Sequence, residues 1–242
     1  MRVALISDIH ANLEALEAVL KHIETQDTDK ICSLGDVVGY GSDPSACLEL
    51  VNKICQIKLI GNHDFYALGR ESSNDYSPLA KISTEWTKKT LTDTDISILD
   101  SFTMEEVCEG IHLVHASPLQ PSEFHYILNY DDAANAFPNC KTNLCFMGHT
   151  HVPLIFNEKP GELPRQRVGH DFVPDPDRKY LINVGSVGQP RDNDPRASYV
   201  TYDTETRDVC YHRVEYDIKS TQRKMEIAKL PEMLIERLAV GK

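Results

Sequence analysis

The chain holds no Cys-x-x-Cys pair, no basic tract, and no apolar run near the ~20 residues that span a bilayer. Lys and Arg together number 25 against 37 Asp and Glu, a net charge of −12. Such a surface repels a long polyanion, so long nucleic acid is not an expected partner. A small anionic substrate remains compatible with it, because bound cations would dominate the field locally. The seven cysteines are odd in number, and several sit in apolar runs such as Leu144-Cys145-Phe146-Met147. Buried free thiols are the expectation, rather than disulfides or a cysteine zinc site. Met1–Ile6 is short and apolar, and Asp8 stands where the core of a secretory leader would have to continue. The expected location is therefore the cytoplasm, with no membrane partner.

At 242 residues the chain is long enough for a substantial core, and with no repeat, low-complexity tract or clear linker, one domain spanning 1–242 is expected. Its first half alternates strand-like and helix-like segments. Val3–Ile6, Ile31–Leu34 and Ile57–Ile60 are short apolar runs. Between them, Asn12 can cap a helix with Leu13, Leu16, Leu20 and Ile23 on one face, and Asp43-Pro44 opens another through about Ile54. This βαβαβ pattern implies a parallel sheet with right-handed crossovers. Residues 65–102 read as a helical insertion with starts at Ser77-Pro78 and Thr92. Ile111–Val114, Leu144–Met147 and Val152–Phe156 are further strands. Glu158–Asp177 reads as an exposed loop or hairpin. Tyr180–Val184, Ala197–Tyr202 and Val209–Val214 suggest a second, largely antiparallel sheet, and residues 218–240 two helical pieces split before Pro231.

The residues just past the apolar runs carry the chemistry. Val3–Ile6 leads to Asp8 and His10, Ile31–Leu34 to Gly35-Asp36, and Ile57–Ile60 to Asn62-His63-Asp64. Ile111–Val114 leads to His115, and Leu144–Met147 to His149 and His151. Ligands of open α/β sheets bind just beyond the carboxyl ends of the strands, so strands sharing one sheet would bring these side chains to one pocket. Carboxylates and imidazoles gathered there would be unstable without a cation. Mixed N and O ligands suit Mn, Fe, Zn, Co or Ni, and seven ligands suit two ions about 3.5–4 Å apart sharing a carboxylate. Asp8-x-His10 and His149-x-His151 read as extended pairs that turn alternate residues to one side.

Asp8-x-His10, Gly35-Asp36-x-x-Gly39, Gly61-Asn62-His63-Asp64, His115 and Gly148-His149-x-His151 resemble the five ordered motifs of the calcineurin-like metallophosphoesterase family. The segment Asn183-Val-Gly185-Ser186-Val-Gly188-Gln189-Pro190-Arg191 resembles its compact prokaryotic branch of phosphodiesterases and diadenosine polyphosphate hydrolases. Ala11 and Ala116 stand where glycine is common in the family; neither departure removes a ligand. The resemblance implies a four-layer α/β/β/α sandwich with two mixed sheets. It implies one divalent ion, Mn or Fe first, on Asp8, His10, Asp36 and His151. A second would sit on Asp36, Asn62, His115 and His149, with Asp36 bridging. It also implies that His63, oriented by Asp64, faces the leaving-group oxygen of a small phosphorylated substrate such as a nucleotide.

Simpler readings stand beside these. Asp36 is also a turn residue, Asn62-His63-Asp64 an Asx-type helix start, and His149-x-His151 an exposed strand pair. Asn12 is first a helix cap and second a phosphate contact. Arg191 is a loop-capping ion-pair partner or a fork for a substrate phosphate. Tyr40 lines the loop or stacks on a base. His22, His112, His125, His170 and His212 lie outside the motifs. The alternatives to a phosphodiesterase or nucleoside polyphosphate hydrolase are a phosphomonoesterase, including a protein phosphatase, and a non-catalytic metal-binding scaffold.

Overall fold

The computed structural model describes residues 1–70, 77–159, 161–162 and 164–242; residues 71–76 of the expected helical insertion, and 160 and 163 of the expected loop, lie outside the described residues. Among the described residues, eleven strands form two sheets. In the first, β1 (Arg2–Ile6), β2 (Lys30–Ser33) and β3 (Ile57–Lys58) are parallel, and β10 (Ala197–Asp203) and β11 (Val209–Val214) extend it antiparallel beyond β1. In the second, β5 (Ile111–Val114), β6 (Leu144–Met147) and β9 (Lys179–Asn183) are parallel. Edge strand β4 (Glu105–Cys108) flanks β5, and the β7 (Leu154–Glu158)–β8 (Arg165–Val168) hairpin flanks β9.

Residue alternation builds the layers. Val3 and Leu5 of β1 face Leu113, Phe146 and Ile182 of the second sheet in the core between the sheets. Ala4 and Ile6, on the other face of β1, pack under α1 (Leu13–Ile23), α2 (Pro44–Ile54) and α5 (Asp93–Asp100) through Leu16, Val19, Leu48, Val51 and Leu99. On the far side, Val114, Cys145, Met147 and Leu181 meet Ala133 and Ala136 of α6 (Tyr130–Ala136). The result is the four-layer α/β/β/α order with two mixed sheets. A fourth cluster joins Tyr40 and α4 (Pro78–Thr90) to the C-terminal helices α7 (Ile218–Ile227) and α8 (Glu232–Glu236), with Ala80, Met225, Leu234 and Leu238 at its centre.

Three expectations are corrected. The last three strands do not form a sheet of their own: β9 pairs parallel with β6, whereas β10 and β11 join the first sheet. The run Ile57–Ile60 supplies a strand of only two residues before Leu59 bridges to Thr103. The site-bearing strands also fail to share one sheet; β1–β3 lie in one and β5 and β6 in the other. The helix starts are as expected. Asn12, Ser77 and Thr92 cap with their side chains, and Thr92 forms a full capping box with Asp95. Asp43 precedes Pro44 at the helix start without a side-chain capping bond.

Candidate metal centre

The carboxyl ends of β1, β2 and β3 open at the same end of the seam between the sheets as those of β5 and β6. All seven expected ligands converge there, each at most 6% exposed. Asp8, His10, Asp36 and His151 place one ligand atom apiece within 4.8 Å of one another, and so do Asp36, His115 and His149. Asp36 belongs to both groups. Asn62, at the start of α3 (Asn62–Ala67), puts Oδ1 3.2 Å from His115 Nε2.

The loops reach this point by unusual backbone. Asp8, His10, Asp36, His149 and His151 all have positive φ, between 50° and 68°. Extended Asp-x-His and His-x-His pairs are therefore not what aims these side chains; tight left-handed turns do so. Such conformations cost free energy and persist where surrounding bonds dictate them. Here the Asp8 amide donates to Gly35 O, the His10 amide to Asp36 O and the Gly148 amide to His115 O. The His149 amide donates to the Asp8 carboxylate at 2.9 Å, and the His63 amide to Asp36 Oδ1 at 2.8 Å. Gly35 has φ +107°, and a Cβ there would fall 2.6 Å from the Gly61 amide nitrogen, so both the turn and the close approach require glycine.

The hydrogen bonds fix the imidazole tautomers. His10 Nδ1 faces Val38 O at 3.1 Å, His115 Nδ1 faces Leu34 O at 2.9 Å, and His151 Nδ1 faces Gln189 O at 2.7 Å. A carbonyl oxygen only accepts, so each Nδ1 carries a proton, and the neutral rings of His10 and His151 present a lone pair on Nε2. Those lone pairs point at other acceptors. His10 Nε2 and His151 Nε2 are 3.0 Å apart. His151 Nε2 is 3.3 Å from Asp8 Oδ1, whereas His115 Nε2, 3.4 Å from Asp36 Oδ2, holds a proton against that carboxylate. His149 Nε2 is buried with no hydrogen-bond partner among the described residues. Buried acceptors aimed at acceptors are repulsive unless cations lie among them. The donor set of imidazole nitrogen, carboxylate and amide oxygen fits divalent transition metals.

The electrostatics agree. Burial pushes Asp8 and Asp36 upward, but the surrounding imidazoles outweigh it and hold both carboxyls below the usual range, hence ionised. Burial holds His10 and His151 low and takes His149 to about 3, which keeps these rings neutral. Among the ligand rings His115 alone goes the other way, to about 9, because Asp36 overrides its burial. Bound cations would replace that compensating proton.

Around the ligands lies a supporting layer. Asp64 accepts from the Val38 amide at 3.0 Å and the Gly61 amide at 3.1 Å, tying the turn after Asp36 to the start of α3. The His63 ring lies 4.9 Å from that of His10 and 4.5 Å from that of Tyr40, and its Nδ1 is 3.3 Å from Thr84 Oγ1. Asn12 is buried; its Oδ1 accepts from the Ala15 amide and Thr221 Oγ1, and its Nδ2 donates to Gly188 O. Arg191 stacks over Tyr40 with its guanidinium carbon 5.7 Å from the ring centre, and donates to Gln189 Oε1.

Several residues of the site received no role from the sequence, although Asn183 and Ser186 lie in the segment that resembles the prokaryotic branch. Asn183 donates to Gly148 O and Thr150 Oγ1, and Ser186 to Asp8 O. The rule of polar residues at strand ends reaches Asn183, which closes β9. Thr84, Tyr126 (its ring 4.0 Å from that of His149) and Arg237 come from helices or loops with no such signal.

This frame and this buried His/Asp cluster define a metal-dependent phosphoester hydrolase. The calcineurin-like phosphoesterase superfamily domain matches residues 1–207, and the chain belongs to that superfamily. A metallophosphoesterase from Sphaerobacter thermophilus is 43% identical over 100% of this chain and 99% of its own, with a TM-score of 0.86. An uncharacterised protein of Methanocaldococcus jannaschii is 41% identical over 99% of this chain and 98% of its own. A hypothetical protein from Pyrococcus horikoshii OT3, 22% identical over 100% of this chain and 98% of its own, shares the fold with a TM-score of 0.80. No described helix is long and apolar enough to cross a membrane.

Proposed function

We propose that the chain hydrolyses phosphodiester or phosphoanhydride bonds using two divalent transition metal ions, Mn or Fe first among them. Asp8, His10, Asp36 and His151 would hold one; Asp36, Asn62, His115 and His149 would hold the other. One observation carries the reading: buried lone pairs and carboxylates face one another in two groups that share Asp36. When bound, the ions supply positive charge to phosphate oxygens and acidify water.

The chain's own residues do the rest. His63 stands on the Tyr40 side of the cluster, where its ring would hand a proton to the departing oxygen. Burial lowers His63 to about 4 in the free protein. A phosphate's negative charge acts in the opposite direction and would favour the protonated ring. Asp64 fixes the turn that carries Asn62 and His63 through its two backbone bonds, and Thr84 orients the His63 ring. Asn12 has its side chain engaged within the protein and positions the loop against Gly188; a phosphate contact there would need one of these bonds to open. Arg191 brings the fork that would contact a substrate phosphate. The seven unbridged cysteines support a reducing compartment such as the cytoplasm.

The test is metal analysis of the purified protein, followed by hydrolysis of bis(p-nitrophenyl) phosphate and p-nitrophenyl phosphate with Mn, Fe, Co, Ni and Zn. About two equivalents of metal and faster turnover of the diester are expected. A protein that retains no divalent ion and cleaves neither compound would overturn the proposal. Preference for the monoester would favour the phosphatase alternative.

A further inference from the structure

Tyr126 reaches the candidate metal centre from a segment outside the five motifs. Its ring lies 4.0 Å from that of His149 at an interplanar angle of 32°, so an imidazole of the cluster covers one face. The residue is nonetheless 51% exposed, which leaves its other face open.

The segment holds that ring in place. Phe124, two residues earlier, is buried with φ +49° and packs against His115 at 6.0 Å and Phe65 at 5.7 Å. A left-handed phenylalanine costs free energy and persists where its neighbours dictate it. Ile127, one residue later, is buried with Val114, Ala133 and Phe137. The Leu128 amide donates to Asp132 Oδ2 at 2.9 Å, tying the segment to the first turn of α6. An exposed tyrosine set between two buried anchors has little freedom left to lose on meeting a ligand.

Tyr126 also stands apart from His63. Tyr40 and His63 lie against His10, at 4.7 and 4.9 Å, in one ligand group, whereas Tyr126 lies against His149 in the other. If the leaving oxygen departs toward His63, a group on the Tyr126 side is one that phosphorus keeps. Tyr126 borders a cavity of about 260 Å³, with Ser117, Leu119 and His125 also in its lining. A void of about 150 Å³ takes a benzene ring, so there is room here for one ring.

We propose that Tyr126 is a specificity-determining residue: its open face receives a ring-sized organic group that the phosphate retains, and through this contact the chain favours diesters over monoesters. This rests on the hydrolase reading above and assigns one ester position of the substrate to a side chain. Water's oxygen bonds to phosphorus, and the P–O bond on the His63 side breaks. The departing oxygen leaves with the electron pair and takes a proton. The P–O bond to the group on Tyr126 stays intact.

Calorimetric titration of the metal-loaded protein with methylphosphonate and phenylphosphonate reads the contact without turnover. Wild type is expected to bind phenylphosphonate about threefold to tenfold tighter than methylphosphonate. Tyr126→Ala should bring the two within about twofold, and Tyr126→Phe, which keeps the ring, should restore the preference. In steady state, the KM of bis(p-nitrophenyl) phosphate relative to that of p-nitrophenyl phosphate should rise about threefold to tenfold in Tyr126→Ala, because the monoester's single ring departs on the His63 side. Metal analysis and thermal melts confirm that each variant is loaded and folded, and Tyr126→Leu serves if Tyr126→Ala is not. No preference for the phenyl compound in wild type overturns the proposal. So does a preference that survives Tyr126→Ala or is lost in Tyr126→Phe. Failure of both phosphonates to bind the loaded protein counts instead against the hydrolase reading beneath it.

Discussion

His63 sits one residue beyond Asn62, yet its two ends serve different ends of the site. Its amide bonds to Asp36, while its ring lies against Tyr40 and Thr84. Removing the ring therefore tests proton transfer separately from metal binding. His63→Ala should retain its metal content and lose about 10²–10⁴ in kcat on substrates with poor leaving groups. The loss should be far smaller with p-nitrophenolate as the leaving group. Metal analysis beside a leaving-group series measures both, and unchanged turnover on poor leaving groups removes His63 from the chemistry. At this scale the sequence was most informative. A candidate ligand is a residue type at the end of an apolar run, and such ends are visible without coordinates. Thr84 was not visible in that way, because it reaches the His63 ring from a helix that lies outside the motifs.

β10 and β11 show how pairing decides the behaviour of an element. They bring Thr201 Oγ1 within 2.8 Å of His212 Nε2, and the His212 ring stacks on Tyr199 at 4.5 Å. Burial, then the neighbouring His22, takes His212 down to about 4, with Asp171 opposing and Arg2 reinforcing. The unfolded chain binds a proton near pH 6.5, so between that pH and about 4 it holds a proton that the folded protein refuses. Stability is therefore full above pH 6.5 and falls as pH drops through the window. His212→Gln should remove roughly 1 kcal/mol of the loss between about pH 7.5 and 5, an allowance that discounts for the half-exposed ring. Urea melts at the two pH values measure it, and parallel losses in variant and wild type would refute it. Element types were largely legible: the caps at Asn12, Ser77 and Thr92 and the break before Pro231 all stand. Sheet membership was not. A buried strand reads as the same apolar run whether its partner is parallel or antiparallel, near in sequence or far, so β9, β10 and β11 could not be sorted. The missed edge strand β4 carries Glu105, Glu106 and an exposed Val107, with no inward alternation to announce it.

Across the whole molecule, the cluster ties the two sheets together. Asp8, His10, Asp36 and Asn62 follow strands of the first, while His115, His149 and His151 follow strands of the second. Ions held there would bind the folded seam and not the open chain. Each site saturated at about 100 times its Kd would add ~2.7 kcal/mol. Chelation should thus lower Tm by about 5–10 °C per site in a chain of this size, as read by calorimetry with and without EDTA. An identical Tm in both states would argue against metals at the seam. The four layers could be expected only through resemblance to a family, since layer order depends on which faces meet.

The crowding around the glycines has a consequence for how relatives can diverge. A methyl group on Gly61 would lie 2.1 Å from Asp36 Oδ1, one on Gly148 2.0 Å from Ser7 Oγ, and one on Gly188 1.8 Å from Ile9 O. The interior of the site has no slack in which new side chains could be tried. Outside that crowding, Met233 and Val240 of the C-terminal segment stand open to solvent. Descendants of this chain would keep these glycines in place while the exposed positions of the C-terminal helices drift.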